Sequence, residues 1–484
     1  MRVARKIAYN VAISTVSKVL STILALVAIG IITRYLGQDG FGNYATVLAF
    51  FSFFAALSDL GLYTISTREI SREGADEEKI MGNMFTLRIL SSLVVLVISP
   101  VIVYLFPYSP EVKCSIIIAA AAYVFSCAYQ ILNGVFQKNL AMDKVAISEF
   151  LGKALQVALI VIVVKMRWSF NWIVSAILFN MIFSFLLVLW WSRRYIKLRP
   201  MFDFAYWKKF LGQSYPVGIA AVITFLYFKM DTILLSVMRS SSEVGIYNAA
   251  YKVIENISFF PGMIMGLIFP IMSHSIFSNH QRFKDVSDKT FKIIVLLVVP
   301  LVVGTLFLSD GVIRLIGGAG FAESGTVLII LIFALAFIFF GNFTSSVLLA
   351  GNLQKKLMWV LGVAAVFNIS INYFFAIPGY SYMGAAVVSV LTEFIVAGAT
   401  FYLVVKELKY FPAVENGWGI IIAGLVMALS LYIMHGRNFF VSGAISVLVY
   451  CLFLWLFKAV KSEEITSIIS RRGVEEYEPH QEVL

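Results

Sequence analysis

Ionisable side chains inside long apolar segments are the strongest candidates for functional residues in this chain. A charged group in hydrocarbon costs a few kcal/mol or more, so each one needs a partner, a water-filled cavity or a short route to the interface. The residues concerned are Lys18, Asp59, Arg88, Glu149, Lys153, Lys229, Asp231, Lys252, Glu255 and Glu393. Their types predict ion pairs and the binding of a charged solute, and no catalytic residue is predicted among them.

Four of these residues flank a predicted turn near Ser241. Lys229 and Asp231 precede the turn by about as many residues as separate it from Lys252 and Glu255, so all four share one level. Because Lys229 and Asp231 are two residues apart in a helix, they point to nearly opposite sides. Pairing of Asp231 with Lys252 is one prediction. Lys229 would then pair with Glu255 or remain free.

The predicted substrate contacts are cations. A free Lys229 in a wet cavity would hold a pyrophosphate, as would Arg34, whose guanidinium suits phosphate geometry; neither has an obvious local partner. Lys18 and Lys252 complete the predicted substrate-binding set. The ion-pair or coupling candidates are Asp59, Asp231, Glu255 and Glu393.

Other charged residues have a structural interpretation. Lys18 and Asp59 have similar predicted depths, so a salt bridge between them is geometrically allowed. Arg88, Glu149 and Lys153 lie near the cytoplasmic ends of their predicted helices, close enough for their charged groups to reach the interface. Glu149 and Lys153 are also four apart, in the favourable order for a helix pair.

The elements that carry these residues are predicted to be membrane helices. The chain is 60% hydrophobic and 13% charged, and apolar runs of roughly 20 residues, enough to cross a bilayer, recur throughout it. Backbone groups in lipid must be paired internally, which favours helices and predicts an all-α polytopic fold. About fourteen spans are predicted, at residues 7–32, 44–65, 84–106, 114–136, 147–164, 172–191, 215–238, 247–273, 291–308, 327–350, 357–376, 383–405, 418–434 and 439–457.

Two sequence echoes predict an internal duplication. GNYA at residues 42–45 corresponds to GIYNA at 245–249, and FQKNL at 136–140 corresponds to AGNL at 350–353. Two six-helix pseudo-symmetric lobes follow, related by an axis along the membrane normal. The predicted domains are an N-lobe at residues 1–200, a C-lobe at 201–410, two additional helices at 411–460 and a charged cytoplasmic tail at 461–484.

The distribution of positive charge predicts the orientation. Most Lys and Arg residues lie in the even-numbered loops and at the two ends, so both termini are predicted to be cytoplasmic. These loops account for most of the net charge of +11, and nucleic-acid binding is not implied. Cys114, Cys127 and Cys451 are scattered without metal-ligand spacing, so no metal site and no cofactor are predicted.

Proline and glycine predict interruptions in two helices. Pro261, Gly262 and Pro270 fall within the eighth span, and Pro216 and Gly218 fall near the start of the seventh. Kinks are expected at such positions. Interrupted helices in transporters often mark a binding site or a hinge, so Pro261, Gly262 and Pro216 are hinge candidates.

Several motifs resemble those of polysaccharide flippases in the multidrug/oligosaccharidyl-lipid/polysaccharide exporter superfamily. They are RYLG at residues 34–37, GFGNY at 40–44, SDLGL at 58–62, DTILL at 231–235, VGIY at 244–247 and LIGGAGF at 315–321. The resemblance covers roughly the first 410 residues. By analogy with the lipid II flippases, the two additional helices would form a groove for a polyprenyl tail.

The resemblance implies a transporter of a lipid-linked oligosaccharide. A polyprenyl-phosphate-linked oligosaccharide would pass from the cytoplasmic to the outer leaflet of a plasma membrane by alternating access. Membrane lipids are implied partners, and glycan polymerases or other assembly proteins are further candidates. The alternatives are a drug or metabolite antiporter of the same superfamily and a membrane-embedded polysaccharide polymerase or glycosyltransferase. A cavity richer in cations than in free carboxylates disfavours the first, and short outer loops without an Asp-x-Asp motif disfavour the second.

Overall fold

The computed structural model describes residues 2–59, 61–70 and 74–459; the side chains of residues 2–12, 59, 64, 216, 217, 220, 221 and 224 also lie outside the description. The helices are α1 (Arg2–Asp59), α2 (Leu62–Ile70), α3 (Glu77–Tyr104), α4 (Pro110–Lys138), α5 (Met142–Lys165), α6 (Phe170–Ser192), α7 (Phe204–Met238), α8 (Ser241–Ile257), α9 (Phe259–Ser278), α10 (His280–Gly317), α11 (Glu323–Ala350), α12 (Gln354–Ile371), α13 (Ile377–Leu408), α14 (Gly417–Ile433) and α15 (Phe439–Leu456). No strand occurs in the described residues, and the all-α prediction is confirmed.

The chain is a multi-pass membrane protein. Ten helical stretches in its described part are long and apolar enough to cross a bilayer. Two of them, Ile13–Ser58 with 46 residues and Gln354–Leu408 with 55, are long enough for two crossings each. Non-helical backbone at Gly37 and Ser381 divides these stretches where the sequence predicts turns between spans. The predicted spans coincide with helices over most of their length.

The predicted eighth span is divided into two helices. α8 ends at Ile257 and α9 begins at Phe259. Pro261 has no N–H to donate to the carbonyl of Ile257, so a continuous helix would lose a hydrogen bond there. Pro270 lies inside α9. The hinge roles of Pro261 and Gly262 stay predictions, and the side chain of Pro216 lies outside the described residues.

The chain forms two compact units. The first comprises Met1–Asn256, Ile313–Val327 and Met358–Thr392; within it α4 packs on α3 and α6, and α1 packs on α5 and α7. The second comprises Ile257–Val312, Leu328–Leu357 and Glu393–Leu484, and contains α14 packed on α15. The predicted lobes at residues 1–200 and 201–410 stay a prediction. The predicted tail from residue 461 lies outside the description.

The segment between α6 and α7 is docked on α3. The side-chain oxygen of Asn83 accepts hydrogen bonds from the backbone N–H of Asp203 at 2.9 Å and from the indole N–H of Trp207 at 3.1 Å. Thr86 Oγ1 accepts from the backbone N–H of Met201 at 3.1 Å. The segment between α6 and α7 is therefore anchored to α3 within the first unit.

Candidate functional site

A cavity of about 330 Å³, lined by apolar, polar and charged residues, lies within the first compact unit. It is formed by α1, α5, α6 and α8. The polar and charged residues that line it are Tyr44, Lys153, Gln156, Asn180, Lys252, Glu255 and Asn256. Its volume is within the range of small-molecule sites.

Close packing of α5 on α6 positions two of the amide side chains. A Cβ at Gly152 would overlap the side-chain oxygens of Ser184 and Asn180, so glycine permits the helices to approach. Ser148 Oγ donates to the carbonyl of Ser184 at 3.1 Å, and Ser184 Oγ donates to the carbonyl of Ser148 at 3.4 Å. Small residues commonly hold membrane helices together in this way.

A hydrogen-bonded chain runs along one wall of the cavity. Lys153 Nζ donates to Gln156 Oε1 at 3.0 Å, and Asn180 Nδ2 donates to the same oxygen at 3.0 Å. Ser184 Oγ donates to Asn180 Oδ1 at 3.2 Å. Gln156 and Asn180 are buried, so these bonds offset the cost of removing their amides from water. The ammonium of Lys153 thus contacts a neutral acceptor at the cavity surface.

A second set of charges lies on α7 and α8. Glu255 Oε1 contacts Lys229 Nζ at 2.5 Å, and Glu255 Oε2 contacts Lys252 Nζ at 2.5 Å. The ammonium of Lys229 also lies over the ring of Tyr251, 5.2 Å from its centroid. The prediction that Lys229 lacks a partner is wrong in this structure, whereas the alternative pairing with Glu255 is observed. Lys252 lines the cavity.

The predicted pairing of Asp231 with Lys252 is wrong. Tyr247 Oη and Ser389 Oγ donate to Asp231 Oδ2 at 3.1 and 2.8 Å, and Asn372 Nδ2 donates to Oδ1 at 2.9 Å. Lys252 pairs with Glu255 on its own helix instead, because the other face of α7 carries Asp231. Neutral donors therefore satisfy this buried carboxyl.

Two asparagines extend the Asp231 network between helices. Asn372 Nδ2 also donates to Asn368 Oδ1 at 3.2 Å, and Asn368 Nδ2 donates to Thr392 Oγ1 at 3.3 Å. Asn372 begins a π-helical segment, Asn372–Ala376, between α12 and α13. These asparagines therefore join neighbouring helices through contacts to α7 and α13.

Arg34 is bound to backbone carbonyls, so the prediction that it has no partner is wrong. Its guanidinium donates to the carbonyls of Gly30 at 2.7 Å, Leu315 at 2.6 Å and Ile316 at 3.0 Å. The last two lie at the C-terminal end of α10, where carbonyls lack helical partners and a cation is favourable. Arg34 does not line the cavity formed by α1, α5, α6 and α8.

The turns near Arg34 are joined into a polar cluster within the first unit. Gln38 Nε2 donates to the carbonyl of Gly320 at 2.6 Å, and Ser242 Oγ donates to Gln38 Oε1 at 2.5 Å. A Cβ at Gly42 would overlap the carbonyl of Ser241, so the chain approaches closely there. The further contacts are Arg239 with the carbonyls of Ile377 and Pro378, and Ser381 with Glu243.

Lys18, Asp59 and Glu393 are the other charged residues of the predicted site. Lys18 is exposed on α1 and does not line the cavity. The side chain of Asp59 lies outside the described residues, so the predicted Lys18 to Asp59 bridge cannot be described. Glu393 is buried in α13. Coupling roles for Asp59, Asp231, Glu255 and Glu393 stay predictions.

Sequence reasoning missed the binding potential of α5 and α6. It assigned Lys153 a structural role beside Glu149, yet Glu149 accepts from Tyr129 Oη at 3.1 Å and Lys153 faces the cavity. Gln156 and Asn180 are not among the residues that the sequence predicts for the site. The sequence does contain an indication of this polar wall. Lys153 and Gln156 are three residues apart and so share one helix face in an apolar span.

Comparisons with known proteins agree with the motifs. A family model described as polysaccharide biosynthesis protein matches residues 7–276. The capsular polysaccharide biosynthesis protein CapF of Staphylococcus aureus is 22% identical over 393 residues, covering 80% of this chain and 96% of CapF. A putative O-antigen transporter of Shigella flexneri is 22% identical over 379 residues, covering 76% of this chain and 90% of that protein.

Among solved structures, a lipid II flippase MurJ in an inward closed conformation has a similar fold. The TM-score is 0.72 at 17% identity, and the match covers 95% of this chain and 99% of MurJ. The polytopic helical fold predicted from the sequence is thereby supported along nearly the whole chain.

Proposed function

The chain belongs to the polysaccharide biosynthesis protein family, and on that premise we propose that it is a flippase for a lipid-linked oligosaccharide. Its substrate is a polyprenyl-diphosphate-linked glycan, moved from the cytoplasmic to the outer leaflet. The observation that carries the proposal is the cavity, in which the ammonium of Lys153 contacts a neutral amide and Lys252 lies among further amides. Such a lining suits an anionic sugar headgroup.

The cavity residues would divide the recognition of the headgroup between them. Lys153 and Lys252 would donate charge-assisted hydrogen bonds to the phosphates, which are stronger than neutral ones. Gln156, Asn180 and Asn256 offer amides to sugar hydroxyls. The polyprenyl tail would stay in lipid, so its apolar surface would not be exposed to water. No covalent bond of the substrate changes.

Transport requires the cavity to face each leaflet in turn. The polar cluster of turns around Gln38, Ser242 and Gly320 would be the outer closure, because positive charge predicts that these turns face outward. Opening would break these side-chain contacts while leaving the helices intact. An inside-negative potential would assist export of a headgroup by about 2.3 kcal/mol per charge per 100 mV.

The proposed location is a plasma membrane with both termini in the cytoplasm. The basic loops containing Arg194, Lys284 and Lys356 would then all be cytoplasmic. Single cysteines placed there, in a variant lacking the three native cysteines, should escape an impermeant reagent in intact cells. Labelling of any one from outside would overturn this orientation. Glycan polymerases and other assembly proteins are proposed partners.

The rival function is export of organic cations by an antiporter. Lys153, Lys229 and Lys252 outnumber the one carboxylate, Glu255, among the described charged residues that line the cavity or contact that carboxylate. Such an excess of positive charge repels a cationic drug. Uptake of a cationic dye into proteoliposomes, without any flipping of lipid-linked sugars, would favour the rival.

The direct test is the variant Lys153→Ala. Wild-type protein in nanodiscs should bind a polyprenyl-diphosphate sugar, and Lys153→Ala should weaken binding by roughly tenfold to a hundredfold, because a charge-assisted contact worth about 1.5 to 3 kcal/mol is lost. Lys356→Ala is the control, since Lys356 pairs with Glu407 and does not line the cavity. Absence of binding by the wild type, or equal binding by Lys153→Ala, would contradict the proposal.

A further inference from the structure

Glu255 occupies an unusual position in the cavity. Its two carboxylate oxygens each contact a different lysine at 2.5 Å, Lys229 on α7 and Lys252 on its own helix. It is also the one carboxylate among the described residues that line the cavity. The side chain is about a third exposed, at 35%, so a solute entering the cavity can reach it.

The three lysines of the cavity region differ in what holds them. Lys229 and Lys252 share a carboxylate, whereas the ammonium of Lys153 donates to the amide oxygen of Gln156. An anionic group can therefore form an ion pair with the ammonium of Lys153 without displacing another anion. To reach Lys252 fully it must compete with Glu255.

From this geometry we infer that Glu255 is an internal counter-ion that competes with the substrate's anionic headgroup and so permits its release. The inference rests on the proposed function. A transport site must bind its solute firmly enough to admit it and weakly enough to let it leave. Glu255 re-forms its contacts with Lys229 and Lys252 as the headgroup departs, which lowers the free energy of the empty cavity.

The electrostatic effect of Glu255 has a characteristic dependence on ligand charge. The repulsion between a fixed carboxylate and a ligand grows in proportion to the ligand's charge. Removing the carboxylate should therefore change the logarithm of the affinity twice as much for a diphosphate diester as for a monophosphate diester. A neutral glycolipid should be unaffected. A purely structural role for Glu255 predicts no such scaling.

The variant Glu255→Gln provides the test, because it keeps the shape of the side chain and removes its charge. The probes are a polyprenyl-diphosphate sugar, a polyprenyl-monophosphate sugar and a neutral glycolipid, with matched chains and sugar, in nanodiscs. We expect binding roughly tenfold tighter for the diphosphate, about threefold tighter for the monophosphate and unchanged for the neutral lipid. Flipping of the diphosphate lipid in proteoliposomes should become several-fold slower.

Two further variants make the result unambiguous. Glu407→Gln removes a carboxylate from an ion pair with Lys356, which does not line the cavity, and should leave the three affinities unchanged. Glu255→Asp retains the charge on a shorter side chain and should tighten diphosphate binding to a smaller extent. If Glu255→Gln does not fold, Glu255→Asp decides: unchanged or weaker binding would reject the inference.

The outcomes separate this inference from the proposed function. If wild-type protein binds no lipid-linked diphosphate, the proposed function fails. If wild-type protein binds it but Glu255→Gln binds it equally or more weakly, or if all three probes change alike, the counter-ion role alone is rejected. Tighter binding with unchanged flipping would also overturn the role in release.

Discussion

Two acidic groups on α7 and α8, Asp231 and Glu255, are satisfied in opposite ways. Asp231 accepts hydrogen bonds from Tyr247, Ser389 and Asn372, all neutral. Glu255 contacts the ammonium groups of Lys229 and Lys252. Asp231 is 4% exposed, whereas the side chain of Glu255 is 35% exposed and lines the cavity.

This difference separates a structural network from the proposed binding surface. Neutral donors on α8, on α13 and on the π-helical segment before α13 hold Asp231 of α7, and none of these donors lines the cavity. In the proposed mechanism the ion pairs of Glu255 are exchanged for pairs with the anionic headgroup, because Lys229 and Lys252 can also donate to a phosphate. We therefore expect changes at Asp231 to affect stability first and changes around Glu255 to affect binding first.

The largest expected effect is that of Asp231→Lys on stability. An ammonium there would be buried among the neutral groups of Tyr247, Ser389 and Asn372 without a counter-ion among them, and a buried uncompensated charge costs about 3 to 5 kcal/mol. Yield and melting temperature in detergent should fall strongly. Normal yield and melting temperature with loss of transport alone would show that Asp231 acts in coupling or binding instead.

The second effect concerns Lys229→Ala and binding. Lys229 neutralises part of the charge of Glu255, which lines the cavity, so without Lys229 this carboxylate should repel a diphosphate lipid more strongly. Binding should weaken by about tenfold, less than the largest loss expected for Lys153→Ala. Lys229→Arg should retain part of the affinity, since the charge survives with a different geometry. Melting temperature should change little.

The double variant Lys229→Ala, Arg34→Ala sharpens this second prediction. Because Arg34 binds the carbonyls of Leu315 and Ile316, adding its replacement should not weaken binding beyond the single variant. A further tenfold loss of affinity in the double variant would show that Arg34 contributes to substrate binding. Both measurements use the same nanodisc titration.

The smallest effect is expected for Ser389→Ala. It removes one of three donors to Asp231 and should lower the free energy of unfolding by about 1 kcal/mol. Binding of the diphosphate lipid should be unchanged, because Ser389 does not line the cavity. A binding defect at unchanged melting temperature would contradict the proposal that the Asp231 network acts in stability and the surroundings of Glu255 act in binding. Ser346→Ala is a matched control, since Ser346 donates to the carbonyl of Asn342 in its own helix.

The sequence by itself determined the fold class and the placement of Lys229 and Asp231 on nearly opposite faces of one helix. Apolar runs long enough to cross a bilayer require helices, since no water is present to satisfy an open backbone. A separation of two residues in a helix places side chains on nearly opposite faces, and the structure gives Lys229 and Asp231 separate partners. The motifs also identified the family that the comparisons support.

Only the tertiary structure decided which charges pair and which face the cavity. Asp231 meets Ser389 and Asn372, more than a hundred residues away in the chain, because α7 packs near α12 and α13. The position of Lys153 at the cavity depends on the close approach of α5 to α6 at Gly152. Periodicity gives the face of a helix, but the neighbour of that face depends on packing between distant segments.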